Sequence, residues 1–261
     1  MPNRKPRVLV LRAAGTNCDV ETARAFELAG GEPELVHVNR LLEGSKRLGD
    51  YSILAVPGGF TYGDDVAAGK ILAAELQSLL RDEVRALVER GGLVIGICNG
   101  FQVLVKTGLL PGVDGLKATV THNDSRRFEQ RWIHMEVETP SRCLWTKGLS
   151  GTRVEMPVAH GEGKFVTPTF EALEALEREQ VVALRYVNPA GGEPVYPHNP
   201  NGSWNHIAGI CDPTGRVFGL MPHPERFVES IQHPRHTRGE GKEPSGLSVF
   251  VEGVRVAGEA S

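Results

Sequence analysis

The sequence predicts an α/β fold of three layers, in which helices cover both faces of a mostly parallel β-sheet. Short apolar runs in the N-terminal part alternate with segments whose apolar residues recur every three or four positions. The resulting order of strand, helix, strand, strand, helix, strand and helix is typical of such sheets. No repeat or linker divides the 261 residues, so we expect a single domain over 1–261 with its core at about 7–230.

The strands and helices of the N-terminal half are predicted from apolar runs and from the residues that interrupt them. Strands are expected over 7–11, 35–38, 51–56 and 93–97. A first helix should begin with Asp19 as its N-cap and end at Gly30-Gly31. A second helix is expected over 68–90, where leucine and valine recur at helical spacing, and a third should follow from Phe101.

The second half of the chain is less regular. Further strands are expected at 132–138, 181–186, 206–212 and 216–221, of which the last two form a hairpin. The stretch 188–203 is rich in Pro, Gly and Asn, which predicts a long loop. The segment 231–261 should comprise a polar, mobile tail and a closing helix over 247–256.

Composition excludes several classes of protein. A net charge of −3 gives no reason to expect nucleic acid or an anionic membrane as a partner. No apolar run approaches the roughly 20 residues of a membrane span, and the one after the basic N-terminus is too short for a signal peptide. The four cysteines are scattered without a C-x-x-C pair, so we expect neither a disulfide framework nor a zinc site. We therefore expect a cytoplasmic protein.

The stretch around Cys98 is the strongest chemical signal. The apolar run 93–97 leads into Gly96-x-Cys98-x-Gly100 and then into a helical segment. Glycines at these positions remove the Cβ clashes of a sharp strand-to-helix turn, and a helix N-terminus behind the sulfur favours a thiolate. A lone Cys at a strand end is more often simply buried. The two glycines favour a nucleophile.

A thiolate nucleophile needs a base, and the base needs a group that orients it. His223 follows an apolar strand in Met221-Pro222-His223-Pro224-Glu225, where the prolines restrict the backbone to extended conformations. In an extended segment His223 and Glu225 point to the same side, so the carboxylate can hold the imidazole. A surface turn is the alternative interpretation. His160, among glycines at 161 and 163, is the rival base, although its surroundings resemble a loop that shapes a pocket.

Acyl chemistry also requires donors for an oxyanion. Gly58 and Gly59 can bring backbone N–H groups close to a substrate, and the N–H of Asn99 is the natural second donor. A phosphate cradle is a weaker interpretation, because no G-x-G-x-x-G or Walker pattern is present. We expect no metal site, because the groups at 223–225 and 122–124 lack a metal-ligand spacing.

These residues resemble the class I, triad-type glutamine amidotransferases, whose fold is flavodoxin-like. The resemblance covers about 7–230 and is strongest for members that serve purine biosynthesis. The segments that carry it are 96–102 (GICNGFQ), 222–225 (PHPE), 15–19 (GTNCD), 57–64 (PGGFTYGD), 160–165 (HGEGKF), 199–203 (NPNGS) and 205–211 (NHIAGIC). Cys18, in the segment 15–19, is a poor rival nucleophile, because it lacks flanking glycines.

The resemblance implies that Cys98 attacks the side-chain amide of L-glutamine to give a glutamyl thioester and ammonia. His223 would protonate the leaving amine and then activate water, and Glu225 would orient His223. It also implies a glutamine pocket, although His122 stands where a basic residue such as Arg is expected. The residues expected to line that pocket are Gln102, Asn123, Ser125 and Phe128.

The resemblance further implies an ATP-dependent synthetase subunit that receives the ammonia. ATP and magnesium would bind there, and we expect no cofactor in this chain. The sequence leaves open whether a third small subunit joins them. It also leaves two other functions open: a cysteine hydrolase of the same fold, such as a peptidase or deglycase-like protein, and an inactive interaction subunit.

Overall fold

The computed structural model describes residues 5–59 and 81–259. Eleven strands are found in these ranges: β1 (Arg7–Arg12), β2 (Glu32–His37), β3 (Ile53–Val56), β4 (Leu93–Ile97), β5 (Thr119–Thr121), β6 (Glu129–Val137), β7 (Arg153–His160), β8 (Lys164–Val166), β9 (Val182–Val187), β10 (Ile207–Cys211) and β11 (Val217–Leu220). The α-helices there are α1 (Asp19–Leu28), α2 (Val38–Leu42), α3 (Arg81–Glu89), α4 (Asn99–Lys106), α5 (Phe170–Arg178) and α6 (Ser245–Glu259).

The central sheet has nine strands in the order β2-β1-β3-β4-β11-β10-β9-β6-β7. The five strands from β2 to β11 run parallel to one another, and β10, β9, β6 and β7 continue the sheet in antiparallel pairings. Strands β5 and β8 form a separate antiparallel pair. The predicted α/β fold is confirmed, and the carboxyl ends of β1, β3, β4 and β11 meet at one edge.

The two halves of the sheet show why their sequences look different. Strand β4 is buried at every position, because helices pack on both faces of the parallel half and leave no side of the strand in water. Strand β6 alternates between buried and partly exposed positions, which matches the predicted half-exposed strand. The hairpin of β10 and β11 is also confirmed.

The structure corrects the start of the first helix. Cys18, not Asp19, is the N-cap of α1, and Asp19 is the first helical residue. The Asp19 carboxylate is ion-paired with Arg12 at 2.5 Å, so it does not turn back to the helix backbone. Of the helix predicted over 68–90, the part before residue 81 lies outside the described residues.

Several elements were not predicted. Strand β7 alternates between buried and less buried residues, with Val154, Met156 and Val158 inside, so its period of two was a usable signal. Helix α5 begins at the Thr169 cap, whose side chain accepts a hydrogen bond from the Ala172 N–H at 3.2 Å. The short helix α2 replaces the end of the predicted second strand.

The closing helix is confirmed and longer than expected. Helix α6 packs on α1, with the Phe26 and Phe250 rings 4.9 Å apart in an edge-to-face contact. Before it, the polar segment forms two short 3₁₀ turns, and His233 is buried against Trp132 and Phe227. The mobility of this segment stays a prediction. Within the described ranges, no helix is both long enough and apolar enough to cross a membrane.

Candidate active site

A cavity of about 990 Å³ lies at the carboxyl edge of the parallel strands. This is the edge at which open α/β sheets form their binding sites. Of the predicted site residues, those that line the cavity are Cys98, His223, Gly59, Asn99, Gln102, Asn123 and Phe128. Gly58 and Glu225 lie behind this lining, and Ser125 is not part of it.

The turn around Cys98 is held in an unusual backbone conformation. Cys98 has φ 51° and ψ −104° and forms the N-cap of α4, directly after β4. A Cβ at position 100 would lie 1.9 Å from the carbonyl oxygen of Val56, and one at position 96 would lie 2.6 Å from that of Gly100. Only glycine fits at both places, so the glycines let the backbone turn sharply and bring the sulfur to the cavity.

His223 and Glu225 form the predicted pair. The Nδ1 atom of His223 is 2.6 Å from Oε1 of Glu225, and both side chains are buried. The His223 N–H donates to the carbonyl of Pro157 in β7, which anchors the turn after β11. Among the described residues, Nε2 of His223 has no hydrogen-bond partner of normal geometry. The free nitrogen is therefore available to a reacting group.

The charges around His223 favour its protonated form. Burial alone lowers the pKa of His223, but the Glu225 carboxylate and the Cys98 sulfur raise it, and the net pKa is well above the usual range. An imidazole of this kind readily accepts the proton of a neighbouring thiol.

His160, the rival base, has the opposite character. Burial, followed by the charge of His223, lowers the pKa of His160 to about 3. Asn123 donates through Nδ2 to the carbonyls of Arg127 and His160, so its Oδ1 is an acceptor for the Nδ1–H of His160 at 3.1 Å. His160 is therefore neutral, with a bare Nε2 lone pair that has no partner among the described residues. It is suited to accept a hydrogen bond rather than a proton.

The predicted oxyanion donors lie close to the thiol. Gly58 follows β3, and a Cβ there would be 2.9 Å from Cε1 of His223 and 3.5 Å from Cβ of Cys98. Gly59 has φ 141°, and a Cβ there would lie 2.8 Å from the amide nitrogen of Asn17. Asn99 is the first residue of α4, where the N–H groups have no partner within the helix. The oxyanion role of these three residues stays a prediction. Phe60–Asp64 of the same segment, 57–64, lies outside the described residues.

The predicted pocket residues differ in what they can still bind. Gln102 accepts from Nδ2 of Asn99 at 3.1 Å and donates to the carbonyl of Glu162 at 2.6 Å. Asn123 also accepts from the Gly163 N–H at 3.0 Å, so both ends of its amide are occupied and it holds two loops together. Contact between Asn123 and a substrate stays a prediction, but the geometry gives this residue a positioning role.

Ser125 and Phe128 lie on the loop before β6. The Ser125 hydroxyl donates to Oε1 of Glu129 at 2.6 Å, and Ser125 is not among the residues that line the cavity. Phe128 lines the cavity and is 51% exposed, so it stands at the cavity mouth. His122 is also at the mouth, 3.6 Å from the Glu162 carboxylate.

Cys18 is the residue whose position sequence reasoning missed. Its Sγ, a ring nitrogen of His223 and a carboxylate oxygen of Glu225 lie within 4.8 Å of one another. Nη2 of Arg226 donates to the Cys18 sulfur at 3.1 Å. No local pattern signalled this position, because it depends on the strand order that places β1 and β4 on either side of β3. These three residues are the one metal-ligand cluster in the described ranges, but Glu225 is already hydrogen-bonded to His223.

Comparisons with known proteins agree with this arrangement. A family model described as the CobB/CobQ-like glutamine amidotransferase domain matches residues 5–256. The chain is 48% identical over 256 residues to phosphoribosylformylglycinamidine synthase subunit PurQ of Dehalococcoides mccartyi. The alignment covers 97% of this chain and 98% of the relative. It is 50% identical over 244 residues to the subunit of the same name from Treponema denticola, with coverages of 86% and 89%. The solved structure of PurLQS from Thermotoga maritima matches with a TM-score of 0.74 and 33% identity, over 97% of this chain and 99% of that chain.

Proposed function

Because the chain belongs to the CobB/CobQ-like glutamine amidotransferase domain family, we propose that it is the glutaminase subunit of phosphoribosylformylglycinamidine synthase. It hydrolyses glutamine to glutamate and ammonia, and a synthetase subunit uses the ammonia to convert formylglycinamide ribonucleotide to formylglycinamidine ribonucleotide in purine biosynthesis. The observation that carries the proposal is similarity to PurQ over nearly the whole chain. The buried His223–Glu225 pair beside Cys98 supplies the chemistry that this function needs.

In the first half-reaction, His223 takes the thiol proton of Cys98 on Nε2, and the sulfur attacks the amide carbon of glutamine. The oxyanion receives hydrogen bonds from backbone N–H groups of Gly58, Gly59 and Asn99. His223 returns the proton to the leaving nitrogen, so ammonia departs and a glutamyl thioester remains. The 2.6 Å contact between His223 and Glu225 supports this proton traffic, because it fixes the ring and stabilises its charged form.

In the second half-reaction, His223 takes a proton from water, whose oxygen attacks the thioester carbon. The C–S bond breaks, glutamate is released, and His223 returns the proton to the Cys98 sulfur. The residues that line the cavity determine which amide substrate can bind. Gln102, Asn123, Ser125 and Phe128 form or support the glutamine pocket. The neutral His160 ring adds an acceptor suited to an N–H group of the substrate, which is a role for this residue in binding rather than in base catalysis.

Ammonia released into water would be lost, so the chain works beside its synthetase. The match to PurLQS supports such an assembly. ATP and magnesium bind in the synthetase, and this chain needs no cofactor of its own. Its four cysteines are all free, as expected in the reducing cytoplasm.

Labelling with the glutamine-analogue electrophile diazo-oxo-norleucine tests the assignment. A covalent adduct on Cys98, blocked by excess glutamine, is expected. No adduct on Cys98 would exclude a glutaminase and favour an inactive interaction subunit. Peptide hydrolysis without glutamine hydrolysis would favour a cysteine hydrolase of the same fold.

The dependence on the partner is a separate test. We expect the purified chain to hydrolyse glutamine slowly and to be activated when the synthetase is added. Full turnover of the chain alone, unchanged by the synthetase, would contradict the role of docking.

A further inference from the structure

The Cys18 sulfur and the Cys98 side chain border one small gap in the active site, and both cysteines contact His223. The gap exists because residue 58 is glycine: a Cβ there would lie 3.3 Å from Sγ of Cys18 and 3.5 Å from Cβ of Cys98. The same point is 2.9 Å from Cε1 of His223. Both cysteines line the 990 Å³ cavity, so a small reagent that enters it reaches both.

The glutaminase mechanism uses only one of these thiols. Cys18 is hydrogen-bonded on two sides, since Nη2 of Arg226 donates to its sulfur at 3.1 Å and its S–H donates to Oδ1 of Asn17 at 3.2 Å. Burial raises the pKa of Cys18, while contacts with His223 and Arg226 oppose that rise. The thiol is therefore protonated at rest, next to a base that can take the proton and a cation that stabilises the thiolate.

We propose that Cys18 is a resolving thiol, and that hydroperoxides convert Cys98 and Cys18 into a reversible intramolecular disulfide that switches the site off. The Cys98 thiolate, whose proton is held by His223, attacks the terminal oxygen of the hydroperoxide and becomes a sulfenic acid as the O–O bond breaks. The leaving alkoxide or hydroxide takes the proton from His223 and departs as an alcohol or water. His223 then takes the Cys18 proton, and the Cys18 sulfur attacks the sulfenic sulfur. The S–O bond breaks, and the leaving hydroxide takes the proton from His223 as water.

The disulfide protects the nucleophile as well as inhibiting it. A sulfenic acid without a neighbouring thiol is oxidised further to sulfinic acid, which thiol reductants do not reverse. The gap at Gly58 leaves space for the two sulfurs to rotate toward each other, and in the disulfide the two Cβ atoms lie about 3.5–4.5 Å apart. The bond removes the Cys98 nucleophile until a thiol reductant restores it.

The other two cysteines provide an internal control. Cys143 and Cys211 are in side-chain contact with each other, but they are 1% and 0% exposed and neither lines the cavity. If proximity alone controlled disulfide formation, peroxide would link Cys143 to Cys211 as well as Cys18 to Cys98. Oxidation that starts at the accessible Cys98 would link only Cys18 to Cys98.

The test treats the purified full-length chain with hydrogen peroxide, blocks remaining thiols, and maps the cross-linked peptides by mass spectrometry. We expect a Cys18–Cys98 peptide, no Cys143–Cys211 peptide, and a loss of glutamine hydrolysis that dithiothreitol reverses. In the Cys18→Ser variant, peroxide should oxidise Cys98 to sulfinic acid. Dithiothreitol should then fail to return the treated variant to the activity that it had before treatment. Cys143→Ser should behave as the wild type does.

Three results would overturn the inference: Cys98 sulfinic acid without a cross-link in the wild type, a Cys143–Cys211 cross-link instead, or equal recovery of wild type and Cys18→Ser. Circular dichroism verifies that Cys18→Ser folds, and Cys18→Ala repeats the test with a side chain that cannot hydrogen-bond. Peptide mapping does not depend on the proposed function. A chain labelled on Cys98 by diazo-oxo-norleucine that forms no cross-link would contradict only the resolving role of Cys18.

Discussion

Cys98 and Cys18 occupy corresponding places in the fold but differ in what their backbones allow. Each is the N-cap of a helix that follows a strand of the parallel half, and each approaches His223. Cys98 has φ 51° and glycines on both sides, whereas Cys18 has φ −105° and none. A helix N-terminus beside a histidine therefore does not by itself define the nucleophile. Both cysteines line the cavity, but the strained turn places Cys98 between two glycines, whereas Cys18 is held by Arg226 and Asn17.

The largest effect should come from exchanging the two thiols for alanine in turn. Cys98→Ala should lower glutamine-dependent synthesis by about 10⁴-fold or more, because the covalent intermediate is lost. Ammonia-dependent synthesis by the complex should survive. Cys18→Ala should cost far less, since this sulfur makes no bond to glutamine. Steady-state assays with glutamine and with ammonium salts measure both. Loss of both activities in Cys98→Ala would mean that Cys98 is structural.

The histidine that the two thiols share gives the next test. Glu225→Gln removes the carboxylate that orients His223 and raises its pKa. Glutamine turnover should fall by between about 10² and 10⁴, as when the orienting acid of a triad is made neutral. The pKa of His223, measured by NMR, should fall as well. Glu27→Gln, on the exposed face of α1, is the matched control. A Glu225→Gln variant with wild-type turnover would remove Glu225 from the mechanism.

The glycines beside Cys98 predict that an alanine there lowers the free energy of unfolding more than an alanine at an open position. Gly100→Ala would put a Cβ 1.9 Å from the Val56 carbonyl oxygen. Overpacking of this kind costs about 3 kcal/mol of the free energy of unfolding. Gly49→Ala, at a position where nothing lies within 4 Å of an added Cβ, should be nearly neutral. Urea unfolding of the two variants measures the difference, and equal stabilities would refute the tight fit of the Cys98 turn.

The smallest expected effect concerns His160, a buried ring in the lining of the cavity that both cysteines share. The unfolded chain binds a proton at His160 near pH 6.5, but the folded chain only near pH 3. The unfolded state therefore binds more protons between these values, and stability falls as the pH drops through this window. The loss due to His160 is about 2 kcal/mol at pH 5.

His160→Gln should remove most of that pH dependence, even if it lowers stability at pH 7. The His122→Gln variant is the control, because the His122 side chain is 77% exposed whereas His160 is buried. Chemical unfolding at pH 7 and pH 5 measures the change. An unaltered pH dependence in His160→Gln would show that His160 is protonated in the native state.

Local patterns were sufficient for much of the site. Gly-x-Cys98-x-Gly and Pro-His223-Pro-Glu225 can be recognised because steric rules act over a few residues, and the structure has the Cys98 turn and the His223–Glu225 pair as expected. That both ends of the Asn123 amide are hydrogen-bonded within the protein was not predictable in this way. Two of its amide partners, His160 at the end of β7 and Gly163 on the loop after it, lie about forty residues away, and no local rule connects them to Asn123.

The sequence alone determined the α/β class, the sharp turn at Cys98, and the pairing of His223 with Glu225, because apolar periodicity and backbone sterics are local properties of the chain. Only the tertiary structure decided that Cys18 lies against His223, beside an arginine 208 positions further along the chain. Strand order places β1 and β4 on either side of β3, and this order arises from packing of the whole sheet. The second thiol of the site therefore becomes visible only when the sheet is assembled.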